Sequence, residues 1–299
     1  VADDPGRRRV VAITGGTGYL GSAFAHAFVE MGDEVRVLSR NGPRQATDGV
    51  THVPFDLAAA DSNVIEGGLD GVDVLVHAAH DFSPRAPRRA PNVNVAGSKA
   101  LLDAARTREV DRVLYVSSVA AFPGARSVYG QEKLLVEAHT RAMGGSVIRP
   151  GLVWGDAPGS IFGALERFVR RAPVVPVFVP GHVRIVLVHL DDLTAAVTAI
   201  VGDRGRATKG TPYIAGAHDA LSFEEVLRRL AGARPPRLVP LPWQAAWIGL
   251  RSAEACRLPV PFRSDSLRSL VHADPEPFSH AVDCADLGCT FRPFRERGR

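Results

Sequence analysis

Apolar positions in the first half of the chain switch between two rhythms. Val10 to Thr14 is an unbroken apolar run, as in a strand buried on both faces. From Thr17 the spacing turns helical, with Leu20, Phe24, Ala27, Phe28 and Met31 on one side, and Gly32 stops it. Short strand-like runs follow at Val35 to Leu38, Val50 to Val53, Val72 to His77, Arg112 to Val116 and Ser146 to Ile148. Leu101, Leu102 and Ala105 mark a helix among them. Strand and helix alternating at these lengths predict a parallel sheet with helices on both faces. After about residue 155 the rhythm breaks, and Gly, Pro and Phe become frequent up to Gly181. Val183 to Val188 then reads as a strand, Asp191 to Val201 as a helix and Tyr213 to Ala215 as a strand. Ser222 opens a further helix with Glu225 three residues on, a capping-box pattern. Arg234 to Pro242 is Pro-rich and extended.

The expected architecture is α/β: a doubly wound parallel sheet over residues 1–155, with a smaller, irregular and discontinuous C-terminal lobe over 156–299. The segment 183–201 is expected to pack back on the first unit. A cleft between the two is the natural place for a ligand.

Composition narrows the classes. With 299 residues, 45% hydrophobic and 23% charged, the chain can bury a core without disulfides or metal. A net charge of +4 is too small to argue for nucleic acid. The three cysteines, Cys256, Cys284 and Cys289, form no regular framework and imply reduced thiols in a cytoplasmic protein. No apolar run is long enough to span a membrane, and Val1 to Arg9 lacks the apolar core of a secretion signal. His77 and His80 lack a third ligand, so no metal is expected.

Candidate chemistry begins where the first strand runs into Thr14-Gly15-Gly16-Thr17-Gly18-Tyr19-Leu20-Gly21. Gly16, Gly18 and Gly21 fit G-x-G-x-x-G between a strand and a helix, the context that makes the motif informative. One glycine allows the tight turn, one lets a pyrophosphate approach the backbone, and Gly21 lets the helix pack closely. The helix start then offers N–H groups to phosphate. Gly15, Thr17, Gly18, Tyr19, Leu20 and Gly21 are therefore candidate contacts to a dinucleotide. The second strand ends in Ser39-Arg40, where an NAD site would carry an acidic residue for the ribose 2′-hydroxyl. Ser39 and Arg40 suit a 2′-phosphate, which favours NADP over NAD; Arg44 is a weaker candidate.

The fifth strand ends at Ser117-Ser118, and Tyr129 and Lys133 follow at i and i+4 of a helix. An ammonium beside a phenol is expected to lower the phenol pKa, so that Tyr129 can exchange a proton with a carbonyl or alcohol. Ser118 would hold the same oxygen. Asp191 and Asp192 read as a helix N-terminus. Trp243 and Trp247 read as core or interface packing, and Arg85, Arg88 and Arg89 as a solvated loop.

These motifs together resemble the extended short-chain dehydrogenase/reductase family, of the epimerase/dehydratase type, over nearly the whole chain. The resemblance implies a Rossmann sheet and a catalytic triad of Ser118, Tyr129 and Lys133. It makes Asp56-Leu57 neighbours of the adenine, and His77-Ala78-Ala79 a lining of the cofactor. Asn94, in Asn94-Val95-Ala96-Gly97-Ser98, matches the family's helix start. Arg149-Pro150-Gly151 with Val153 and Trp154-Gly155 resembles the segment near the nicotinamide, and His189 to Leu193 a later family segment. Lys133 is also implied to hold the nicotinamide ribose. Candidate substrate contacts are His80, Ser118, Phe122, Tyr129 and Trp154. Helices around 98–108 and 129–142 are, by the same analogy, a candidate homodimer surface.

Departures from the family's nucleotide-sugar enzymes favour a smaller, more apolar substrate. Leu152 stands where those carry Asn, Arg184 is five residues before His189 instead of four, and Ser118 and Tyr129 are only 11 apart. The reading that follows is an NADP-dependent oxidoreductase acting on a carbonyl or secondary alcohol of a small molecule. The nearer alternative is an epimerase or dehydratase that recycles its cofactor within each turnover. The remote one is a non-catalytic NADP-binding regulator. Neither nucleic acid nor membrane is an expected partner.

Overall fold

The computed structural model describes residues 7–42, 48–59, 62–82, 92–155, 160–179, 183–203, 210–232, 235–258 and 262–295. Its first half contains β1 Val10–Thr14, α1 Tyr19–Glu30, β2 Glu34–Ser39, β3 Val50–Pro54, α2 Ser62–Leu69, β4 Val74–His77, α3 Val93–Thr107, β5 Arg112–Val116, α4 Val128–Ala142 and β6 Ser146–Pro150. The second half adds β7 Leu152–Trp154, α5 Ile161–Arg171, β8 Val174–Val179, β9 Arg184–Ile185, β10 Leu187–His189 and α6 Leu190–Gly202. It closes with β11 Tyr213–Ala215, β12 Leu221–Ser222, α7 Phe223–Ala231, β13 Arg237–Pro242, α8 Trp243–Ala255, α9 Ser264–Val271 and β14 Val282–Asp283.

The main sheet has eight strands in the order β3-β2-β1-β4-β5-β6-β11-β14, and every pairing in it is parallel. The first six strands have the order of a dinucleotide-binding Rossmann sheet. The winding reverses between β1 and β4, which opens a crevice at the carboxyl ends of those strands.

β1 shows why the sheet is wound on both faces. Val11 and Ile13 pack with Phe24 and Phe28 of α1 and with Leu193, Ala196 and Val197 of α6. Val10 and Ala12 point the other way, into Leu69 of α2 and Leu101 and Ala105 of α3. A strand with helices on both sides has no solvent face, so its sequence shows no alternation.

Beyond the division expected at residue 155, β11, β14 and α6 join the first sheet and its packing. The remaining elements build a separate core of Phe162, Val169, Val175, Leu187, Val226, Leu227, Leu230 and Phe294. The Gly, Pro and Phe-rich stretch contains α5, capped by Ser160, whose hydroxyl accepts from the Gly163 amide. Val183 to Val188, expected as one strand, is two: β9 pairs antiparallel with β12, and β10 pairs parallel with β7. β8 and β13 form their own parallel pair. α8 carries no buried residue, so Trp243 and Trp247 are half-buried on its surface and not core. Among the described residues, no helix is long and apolar enough to cross a membrane.

Candidate active site

The glycine loop leaves β1 with Gly15 at φ +69°, in the left-handed region. A Cβ on Gly21 would lie 2.3 Å from the Gly15 carbonyl oxygen, so the helix can approach the loop only with glycine there. A Cβ on Gly18 would meet only the Gly15 oxygen within 4 Å, and Thr17 and Gly18 are exposed. Gly18 is also the N-cap of α1 and provides no side-chain cap, whereas α3 to α7 each start with one. A small-residue cradle with uncapped helix N–H groups suits a pyrophosphate.

At the end of β2 the Ser39 hydroxyl donates to the Asn41 carbonyl at 2.7 Å, and Arg40 is exposed. Asp56 caps a 3₁₀ turn over Leu57–Ala59, accepting from the Ala58 amide at 2.9 Å, and Leu57 is buried. Arg44, Arg85, Arg88 and Arg89 lie outside the described residues.

His77 faces inward. Its Nδ1 lies 2.6 Å from Thr14 Oγ1 and its Nε2 2.8 Å from Ser98 Oγ. Thr14 Oγ1 already accepts from the Ala78 and Ala79 amides, both at 3.1 Å, so its own proton goes to Nδ1. The imidazole then carries its proton on Nε2 and donates to Ser98. Burial first, and the charge of Lys133 second, push its pKa down to about 3. With both nitrogens engaged in the protein, any contact from this position to a cofactor must come from its backbone or from Ala78 and Ala79.

Ser118, Tyr129 and Lys133 meet above β5. Ser127 caps α4 by accepting from the Gly130 amide at 3.1 Å. Gly130 allows the close approach of that helix, since a Cβ there would lie 2.2 Å from the Ala120 carbonyl oxygen. The Ser118 hydroxyl is hydrogen-bonded to the Tyr129 phenol. Lys133 is buried and donates to the Val116 carbonyl at 2.8 Å, with its ammonium 4.8 Å from the Tyr115 ring centre and 5.8 Å from that of Tyr129. Burial pulls its pKa down to about 8, against the carboxylates of Glu137 and Glu132.

The expectation that Lys133 lowers the Tyr129 pKa is corrected here. Burial dominates and pushes the phenol up to about 12, with the Ser118 hydrogen bond opposing it. One of the three Lys133 N–H donors goes to the backbone of β5, and the phenol stays protonated.

Among the candidate substrate contacts, His80 packs edge-on against the Tyr129 ring at 5.0 Å. Burial first, then Lys133 and His77, push its pKa down to about 2, so it is neutral. Trp154 stands at the end of β7 against His189, 4.4 Å between ring centres, and its buried indole N–H has no hydrogen-bond partner among the described residues. Phe122 is half-buried and its carbonyl accepts from the Ala125 amide. Pro150 is buried at the end of β6, and Gly151 approaches so closely that a Cβ would lie 2.4 Å from the Val186 oxygen. Val153 packs on the main core from β7.

Sequence reading missed four neighbours. Phe82 stacks on Tyr129 at 5.9 Å and remains 55% exposed, forming an apolar wall. Glu132 accepts from the Asn92 and Asn94 amides, each at 2.8 Å, tying α4 to α3. Glu137, one turn beyond Lys133, is fully buried and takes both prongs of Arg149, at 2.9 and 2.7 Å, and the Ser117 hydroxyl at 2.5 Å. Asp265 of α9 accepts from the amides of Val128 and Tyr129. Only i, i+4 spacing to Lys133 could have flagged Glu137; no local signal marks Asp265.

A parallel sheet in Rossmann order with a glycine cradle at an uncapped helix start is the framework of a dinucleotide-binding protein, and Ser118, Tyr129 and Lys133 lie together at its carboxyl edge. The model of the NAD dependent epimerase/dehydratase family matches residues 11–216, and the chain belongs to that family. It is 30% identical over 290 residues to the ceramide reductase of Caulobacter vibrioides, spanning 91% of this chain and 87% of that protein. It is also 30% identical over 166 residues to a farnesyl-dihydroquinoline-oxide ketoreductase of Stigmatella aurantiaca, covering 48% of this chain and 50% of that one. The solved structure of MoeE5 in complex with UDP-glucuronic acid and NAD superposes with a TM-score of 0.67 at 21% identity, covering 95% of this chain and 94% of that one. Family and relatives together make this an NAD(P)-dependent enzyme of the epimerase, dehydratase or reductase kind.

Proposed function

We propose that the protein is an NADP-dependent reductase of an apolar carbonyl compound, with Tyr129 as the proton donor. The placement of Tyr129 carries this reading: its ring is packed by His80 and Phe82 beside the buried ammonium of Lys133, where a phenol can give a proton to a carbonyl oxygen as it becomes an alkoxide. Ser118, bonded to the same phenol, orients the substrate oxygen. The Lys133 ammonium stands 5.8 Å from the centre of the phenol ring and remains mostly charged at pH 7.

The cradle of Gly15, Gly18 and Gly21 fits a dinucleotide, and Thr17, Tyr19 and Leu20 complete its rim. Arg40 and Ser39 supply the contacts that would favour a 2′-phosphate. Asp56 and Leu57 would bound the adenine, while Ala78, Ala79, Asn94, Lys133, Pro150, Gly151 and Val153 bound the remainder. When bound, the reduced dinucleotide supplies the hydride. His80 and Phe82 pack against Tyr129, and with Phe122 and Trp154 they would give the substrate side an aromatic, uncharged lining. That suits an apolar substrate better than a nucleotide sugar, in line with the two reductases it resembles.

Fluorescence titration with NADPH and NADH, followed by a panel of apolar ketones, tests this reading. The expected result is tighter binding of NADPH, steady NADPH consumption with a ketone, and a fall of about 100-fold or more in kcat for Tyr129→Phe with nucleotide affinity kept. Tighter NADH binding would overturn the Ser39 and Arg40 assignment. Turnover of a nucleotide sugar without net NADPH consumption would establish the epimerase or dehydratase alternative.

A further inference from the structure

The N-terminus of α4 is held from two directions. Its first N–H groups have no partner within the helix and must find acceptors elsewhere. Ser127 meets the Gly130 amide locally. The other two bonds come from a residue more than 130 positions away: Asp265 Oδ1 accepts from Val128 at 2.8 Å and Oδ2 from Tyr129 at 3.0 Å. A carboxylate spanning two amides makes charge-assisted bonds and complements the positive end of the helix.

The turn that presents Asp265 is itself secured. Glu254 of α8 accepts from the Ser264 amide at 2.8 Å and from its hydroxyl at 2.7 Å. Arg263 donates to the Phe82 carbonyl, and the Phe82 ring stacks on Tyr129. Three consecutive residues, Arg263, Ser264 and Asp265, therefore link the α8–α9 hairpin to the backbone of Tyr129 and to one wall around its ring.

We propose that Asp265 is a positioning residue for Tyr129: through its two backbone bonds the C-terminal hairpin sets where the phenol stands. Ser127 satisfies one of these N–H groups from within the local chain, whereas Asp265 takes two from a distant element and so fixes the first turn relative to the hairpin. This inference rests on the reading of Tyr129 as proton donor, and its test has arms that need no substrate.

The experiment compares the full chain with Asp265→Ala and Asp265→Asn. Amide hydrogen exchange at Val128 and Tyr129 is expected to quicken at least tenfold in Asp265→Ala, with exchange at Val136 unchanged. Asn keeps one acceptor and should restore part of the protection. With tyrosines labelled at the phenol carbon, the Tyr129 resonance, assigned with Tyr129→Phe, should move while the other three of the 4 tyrosines stay. NADPH affinity should remain within twofold. With a ketone that is turned over, kcat should fall about tenfold and KM by no more than threefold either way. Unchanged exchange at Val128 and Tyr129, or an unmoved Tyr129 resonance, overturns the proposal. So does a uniform loss of protection along α4 with loss of NADPH affinity, since that would mean Asp265 serves only overall stability. If no ketone reacts, the exchange and resonance arms still decide the role of Asp265, and it is the reductase reading that falls.

Discussion

At the scale of single residues the site is governed by burial more than by charge pairing. His77 shows it most directly. Its folded pKa of about 3 lies below the ordinary 6.5, so as pH falls the unfolded chain takes up the proton first. Stability is therefore whole above about 6.5 and is lost on acidification down to about 3, at up to about 1.4 kcal/mol per pH unit. His77→Gln keeps an acceptor for Thr14 and a donor for Ser98 but cannot be protonated. Urea unfolding at pH 5 and pH 7 should show a smaller acid loss in that variant than in the parent. An equal loss would place the acid sensitivity elsewhere. The glycine loop and the Tyr129–Lys133 pair were legible because their geometry is local. The direction of the Tyr129 shift was not, because it depends on Phe82 and His80 from another loop and on a lysine that turns to the Val116 carbonyl.

At the scale of elements, small residues set how closely helices approach the sheet edge. Gly97 is one such case: a Cβ there would lie 2.3 Å from the Leu57 carbonyl oxygen, against backbone that cannot rotate away. Gly97→Ala should push α3 off the turn after β3 and cost about 1–3 kcal/mol, despite alanine's better helix propensity. Chemical denaturation measures this directly, and a stabilised variant would refute it. The same shift should weaken nucleotide binding, because Asn94 and Ser98 travel with α3. The strands of the first half were readable because a doubly covered sheet needs unbroken apolar runs. α5, α9 and the pairing of β8 with β13 were not. Their apolar faces are matched to one another in a small core where Pro, Gly and Phe recur without a period, whereas α8 buries no residue and joins no core.

Over the whole molecule, the two cores are joined by the far end of the chain. Asp192 of α6 accepts from the Arg292 amide and side chain, both at 2.8 Å, so the second acid of the helix start clamps the C-terminal segment besides favouring the helix dipole. Two residues on, Phe294 is buried among Trp154, at 5.2 Å, and Phe162, at 5.3 Å. Nothing in the sequence pattern pairs residue 294 with either partner, since one lies in β7 and the other in α5. Phe294→Ala should leave a cavity costing about 3–5 kcal/mol. Its damage should be confined to one side, because the glycine cradle rests on the core of β1, α1 and α6. Hydrogen exchange should quicken in α5 and α7 and at β7, while β1 and β4 keep their protection. Nucleotide titration should give an affinity within about twofold of the parent, with KM for a carbonyl substrate raised. If nucleotide affinity falls as far as substrate affinity, the two cores do not respond separately, and the C-terminal segment holds the molecule together as one cooperative unit.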